Sequence, residues 1–365
     1  MSARRLMLVI TELDFGGAEQ RLVDLATHID RSRFLPTVVA LAGPPASPDD
    51  ALVERLHQAD VPVTFLGAGG KRTAWRTWRK LKREFQRQSV DLVQSFLFHA
   101  NVATALAVPR GVPHFSGVRV ADPRNTRMFV ERLILRRSQR VVCVSNAVAD
   151  HLLKGGFSTG QLITIPNGVD VGQLDSATPI ELEELGMPPG ADLVAVIGRL
   201  DPQKGTDWLI DQIPDVLRAK NTVHFAFCGR GEVEPYRAQV ARLGVADHVH
   251  FLGWRNDIAA ILRTSQLLLL PSRWEGMPNV VLEAMALRCP ILATRAHGVL
   301  ELLGPSSPQM TFSTDGTEQF HDGLTAWLGE TTAELGNLLD ANRQRVEMEF
   351  SLEKMVRRYE IVYEN

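Results

Sequence analysis

Short apolar runs alternate with amphipathic segments along almost the whole of this chain. Residues 5–11 (RLMLVIT) are apolar nearly throughout, and residues 19–29 follow with Leu22, Leu25, Ala26 and Ile29 at helical spacing. Continuous runs this short predict strands buried on both faces of a parallel sheet, and the spacing of three and four predicts the crossover helices between them. The alternation continues through strand signals at 35–41, 61–66 and 90–94, a helix signal at 50–59 and a long basic segment at 71–88. Strands at 141–144 and 162–165 close a first unit. A polar stretch from Pro166 to Gly190, with Pro179, Pro188 and Pro189, reads as a linker. The pattern then restarts with strands at 192–197, 223–228, 248–252 and 267–270 and helices at 208–218 and 279–287. Strands alternating with helices define an α/β chain with parallel sheets and right-handed crossovers.

Composition adds size and compartment to this picture. A length of 365 residues suits two domains, each able to bury a core. No run of eighteen apolar residues occurs, and Arg4 and Arg5 lead straight into the first strand, so neither a membrane span nor a signal peptide is expected and the cytoplasm is the expected compartment. Cys143, Cys228 and Cys289 lie far apart in apolar segments and read as buried small hydrophobes rather than a disulfide or zinc framework. Charge is uneven. Residues 1–175 carry 23 Lys and Arg against 16 Asp and Glu, a balance of +7, which leaves −9 on the remainder. Such asymmetry concerns partners more than fold.

Candidate chemistry concentrates after the strand at 267–270, in PSRWEGMPNVVLEAMALRCP. Gly276 frees the backbone, and Pro278 suits the first position of a helix because it needs no amide donor there. The amides of residues 276–280 (Gly276, Met277, Asn279 and Val280 among them) are then unpaired donors at the positive end of a helix, a natural phosphate site. Glu275 precedes this helix and Glu283 lies within it, roughly 10 Å apart at helical rise. A carboxylate inside the apolar run Val280–Ala286 must be paired or hydrogen-bonded, whether by a ligand or by a structural partner. Two cations, Arg199 and Lys204, stand on the loop GRLDPQKG after the strand at 192–197, where ligands bind in open α/β sheets, and would suit a diphosphate. The next strands also end in glycine, at Gly229 with Gly231 and at Gly253, leaving room for a base or ribose. Gly16 and Gly17 mark the first strand-to-helix turn; the third glycine of a dinucleotide fingerprint is missing, so a nicotinamide or flavin cofactor is not expected.

Taken in order, GGAE at 16–19, IPNGVD at 165–170, GRLDPQKG at 198–205, GRGE at 229–232, FLG at 251–253 and EGMPNVVLEAMA at 275–286 resemble the GT4 family of retaining glycosyltransferases of GT-B fold. The resemblance implies two Rossmann-like doubly wound domains facing across a cleft: 1–172 on the acceptor side, 173–346 on the donor side, and 347–365 as a helix crossing back to the first. It implies that Arg199 and Lys204 hold the diphosphate of a nucleotide sugar, that Glu275 contacts the sugar hydroxyls and Glu283 the ribose, and that Gly276, Met277, Pro278, Asn279 and Val280 meet phosphate and sugar. Gly16 and Gly17 would form a facing wall, and no cofactor or metal is implied. Two positions depart from the family. Its usual His after the strand at 90–94 aligns with Phe96, leaving His99 three residues on as either a substitute or a helix-capping or structural residue, and AHGVLE at 296–301 stands where two glycines are common.

The acceptor side is read from Lys71 to Gln88, where eight cations meet one carboxylate and Trp75, Trp78, Leu81 and Phe85 share one helical stripe. This is either a crossover helix with its stripe on the sheet or a face for an anionic membrane surface, the latter matching a lipid-linked or envelope glycan acceptor at the inner face of the membrane. Nucleic acid is not expected, because no binding module accompanies the basic stretch. The alternatives kept are a nucleotide-sugar epimerase of the same fold and a non-catalytic sugar-nucleotide-binding partner protein.

Overall fold

The computed structural model describes residues 3–14, 16–45, 50–68, 74–122, 124–313, 316–329 and 333–364. It divides into two compact units, one of Met1–Gly168 with Leu352–Asn365 and the other of Val169–Ser351. In the first unit seven parallel strands, β1 (Arg4–Ile10), β2 (Phe34–Ala40), β3 (Val63–Phe65), β4 (Leu92–Phe96), β5 (His114–Val118), β6 (Arg140–Cys143) and β7 (Leu162–Thr164), lie in the order β3-β2-β1-β4-β5-β6-β7. In the second, β8 (Asp192–Ile197), β9 (Val223–Cys228), β10 (Val249–Gly253), β11 (Leu267–Leu270), β12 (Ile291–Thr294) and β13 (Thr311–Phe312) lie in the order β10-β9-β8-β11-β12-β13. Both are doubly wound: strand order reverses beside β1 in one sheet and beside β8 in the other. Ligands of such sheets bind beyond the carboxyl ends of the strands at that reversal.

The apolar runs bury as their pattern requires. Leu6 to Ile10, Leu193 to Ala195 and Leu267 to Leu270 are at most 2 % exposed. β5 is an exception to the pattern, since HFSGV was not recognised as a strand. Its polar residues are satisfied inside the core: Ser95 Oγ donates to Asn101 Oδ1 at 2.7 Å and lies 2.8 Å from His114 Nε2, and Asn101 Nδ2 donates to Gly117 O at 2.8 Å. Burial pushes the His114 imidazole down to about 3, so it is neutral throughout the physiological range. The three cysteines are free and buried, and burial pushes each thiol up to about 12.

The basic segment is a helix over Ala74–Gln88; Lys71, Arg72 and Thr73 lie outside the described residues. Its aromatic stripe divides in two. Leu81 and Phe85 join the core on the sheet, whereas Trp75 is 61 % exposed and stacks on Trp78 at 4.8 Å. Helix Leu352–Glu364 belongs to the first unit, and Leu352, Met355, Val356, Tyr359, Val362 and Tyr363 pack into the core beneath β1, β2 and β4. The stretch read as a linker is tied into the second unit, where Asp175 pairs with Arg343 at 2.6 Å and Arg263 at 3.4 Å.

Candidate functional site

The second unit assembles its charged residues at the reversal between β8 and β11. After β8, Asp201 accepts a bond from the Lys204 amide at 3.2 Å and caps the turn Pro202–Lys204. Gly205 then adopts φ +69°, and a Cβ there would lie 2.1 Å from the Pro271 carbonyl oxygen. The loops after β8 and β11 therefore touch at a point only glycine permits. That contact brings Lys204 to Glu275, 71 residues away in sequence: Nζ donates to Oε1 at 2.5 Å. Their side chains are 19 % and 7 % exposed. Arg199 shares the loop but stays out in solvent, 66 % exposed, with Asp201 at 3.2 Å and Gln203 Oε1 at 3.0 Å.

Beyond Glu275 the chain passes Gly276 and the buried Met277 into helix Asn279–Ala286. The helix starts at Asn279, as its pattern predicts, with Pro278 at the N-cap rather than at the first helical position. Val280 is buried and Glu283 half-buried on this helix. Gly298, at the start of helix His297–Leu303, packs so closely that a Cβ would sit 2.0 Å from Gly276 O. Gly229 and Gly231 are likewise set by close approach, with added Cβ atoms 1.8 Å from Gly198 O and 2.4 Å from Leu200 O. They lock the β9 loop onto the β8 loop that carries Arg199 and Lys204.

The first unit brings Gly16, Gly17 and His99 to its own reversal, beyond β1 and β4. Gly16 is extended (φ −150°) and caps helix Gly17–His28. The Glu19 side chain folds back over Gly16, with Oε2 2.3 Å from the position of an added Cβ. Glu19 is 7 % exposed, and burial pushes its carboxyl up to about 7, opposed by a hydrogen bond from its own backbone amide and by Arg119, with Glu12 and Asp14 adding to the rise. Leu97, at φ +70°, leads from β4 into helix Phe98–Ala107, a strained turn for a branched residue. His99 is exposed on this helix, its ring edge-on to Phe98 at 5.3 Å. Phe96 is fully buried, 6.3 Å from the Tyr359 ring and beneath the Arg119 guanidinium at 5.9 Å. Glu19 and Arg119 were not singled out from the sequence. A Glu three residues past a capping glycine, before an apolar run, was the available signal.

Two doubly wound units, one carrying a cation–carboxylate pair beside a helix N-terminus at its reversal point, are the architecture that glycosyltransferases of GT-B fold share. Family models agree over both units: residues 15–173 match Glycosyltransferase Family 4 and residues 191–330 match glycosyl transferases group 1. The chain belongs to glycosyltransferase family 4. It is 31 % identical over 184 residues to a D-inositol 3-phosphate glycosyltransferase of Segniliparus rotundus, a match covering 47 % of this chain and 40 % of that protein. It is 27 % identical over 290 residues to a phosphatidyl-myo-inositol mannosyltransferase of Mycobacterium tuberculosis, covering 76 % and 74 %. Among solved structures, Anabaena HepE in complex with UDP-glucose superposes with a TM-score of 0.85 at 22 % identity, covering 99 % of this chain and 100 % of that one.

Proposed function

We propose that this glycosyltransferase takes its sugar from a nucleoside diphosphate sugar, retains the anomeric configuration and needs no metal ion. The Lys204–Glu275 pair at the β8/β11 reversal is the observation that carries this reading. Lys204 and Arg199 supply positive charge for the diphosphate, and the N-terminus of helix Asn279–Ala286 adds its dipole. Negative charge grows on the leaving diphosphate as the anomeric bond breaks, and cations fixed in place beforehand lower that barrier. The acceptor oxygen bonds to the anomeric carbon on the face the phosphate leaves, and its proton passes to the departing phosphate oxygen. Glu275 is assigned to the sugar hydroxyls and Glu283 to the ribose. Calorimetric titration with UDP, GDP and ADP tests the donor assignment: micromolar binding of one of them, weakened in Arg199→Ala and Lys204→Ala, is expected. No binding by folded protein refutes it.

For the acceptor we propose a lipid-linked or envelope glycan reached at an anionic membrane surface. Relatives named for phosphatidyl-myo-inositol support this class. So does the first unit, where Trp75 lies exposed with Arg79 over its ring at 5.3 Å, and Phe129 and Leu133 are 68 % and 48 % exposed on helix Asn125–Leu135. No helix of the described residues is long and apolar enough to cross a membrane, so a surface contact is what the helix Ala74–Gln88 would supply. Failure of the protein to sediment with anionic vesicles at low salt would remove this part of the proposal.

A further inference from the structure

Glu19 is a buried carboxylate at a ligand-binding edge that the donor chemistry leaves without a task. Its side chain folds back over Gly16, at the reversal between β1 and β4, and is 7 % exposed. The charges that act on it are Glu12 and Asp14 from the loop after β1 and Arg119 from the end of β5. The cations of this neighbourhood are engaged elsewhere. Arg119 donates to Asn167 Oδ1, and Arg21 donates to Gly168 O and pairs with Asp24 at 3.0 Å. The carboxylate accepts a hydrogen bond from its own backbone amide, as a capping Glu does, but that bond does not explain the burial, because a capping Glu works equally well in solvent, where it stays ionised without a burial penalty.

The surroundings select the ligand. Three carboxylates around one strand end repel a diphosphate, which the cations of the second unit already match. An uncharged hydroxyl, by contrast, donates to a buried carboxylate and relieves its desolvation. We propose that Glu19 binds a hydroxyl of the glycosyl acceptor, positioning the acceptor on the first unit. The inference rests on the glycosyltransferase reading and extends it to the acceptor. Burial that holds this carboxyl near neutrality adds a pH signature, since binding then strengthens as Glu19 ionises.

The test uses the full chain with Glu19→Gln, which keeps size and capping capacity, and Glu19→Asp, which keeps the charge. Nucleotide affinity is measured by calorimetry with UDP, GDP and ADP, and transfer is measured from the matching nucleotide sugars to a panel of n-octyl glycosides. Glu19→Gln is expected to bind nucleotide within about twofold of wild type while its acceptor KM rises at least about tenfold. In the wild type that KM should climb about tenfold per pH unit below 7, a limb absent from Glu19→Gln and kept by Glu19→Asp. An unchanged KM and pH profile in Glu19→Gln would reduce Glu19 to a helix cap and overturn the proposal. Loss of nucleotide binding by folded Glu19→Gln would overturn it in favour of a donor role, and nucleotide binding without transfer to any glycoside would also count against it. Wild-type protein that binds no nucleotide is a separate failure, that of the glycosyltransferase donor assignment itself.

Discussion

Replacing Lys204 with Met separates what the Lys204–Glu275 pair does for the fold from what it does for the donor. Met keeps the aliphatic stem, which packs over Gly198 with Cε 3.2 Å from the position of an added Cβ. It removes the charge 2.5 Å from a carboxylate whose side chain is 7 % exposed. Stranding a buried charge costs about 3–5 kcal/mol, and because Lys204 keeps some solvent contact the lower end applies, about 3 kcal/mol. For a unit of this size that is a fall in Tm of roughly 6–12 °C. On the proposed donor assignment, the same substitution removes one charge-assisted donor to the diphosphate, worth about 1.5–3 kcal/mol, or a 10- to 150-fold rise in the Kd for the nucleotide. Adding Glu275→Gln distinguishes the two effects. The double variant leaves no buried charge unpaired, so it should recover most of the lost Tm, yet its nucleotide affinity should stay low. Differential scanning fluorimetry and calorimetry on the four proteins of this cycle supply the numbers. A double variant that regains nucleotide affinity together with stability would show that Lys204 serves only to neutralise Glu275, and the donor assignment would lose its main support.

Three further outcomes follow from the geometry. Gly205→Ala, at φ +69° with the Pro271 oxygen 2.1 Å from the new Cβ, should lower the denaturant-derived stability by at least about 2 kcal/mol and weaken nucleotide binding by displacing Lys204. Phe96→His, which installs the residue common in the family, should destabilise by about 3 kcal/mol without raising transfer, because the position is sealed beneath Tyr359 and Arg119; a gain in turnover would contradict this placement. His114 has a folded-state value near 3 against an ordinary 6.5, so its contribution is complete above pH 6.5 and lost as pH falls toward 3, at about 1.4 kcal/mol per pH unit. Thermal unfolding of the wild type between pH 7 and 4.5 should show this slope, and His114→Asn, destabilised at pH 7, should show a shallower one.

The strands that were legible in the sequence are those whose apolar runs face helices on both sides, such as DLVAVI and LLLL, where composition and burial say the same thing. β5 was not legible because His114 and Ser116 look like loop residues until Ser95 on the neighbouring strand is seen to bond His114, and Ser138 before β6 to bond Ser116. The same limit governs the site. Motif spacing located Arg199, Lys204 and Glu275 individually, but their order of burial depends on Gly205 meeting Pro271, a contact between loops of separate crossover units. Gly16 was legible as a glycine needed at a turn. The carboxylate folded over it belongs to a residue whose burial a local pattern does not reveal.

Helix Leu352–Glu364 completes the core of a unit whose other residues end at Gly168. In the order of synthesis, β1 to β7 leave the ribosome before the side chains of Tyr359 and Tyr363 that cover Phe34, Phe96 and Phe115 exist. The second unit, continuous from Val169 to Ser351, meets no such delay. Nascent chains should therefore hold an incompletely sealed first unit while the second is already able to fold, which makes the early half of the chain the segment most dependent on chaperones.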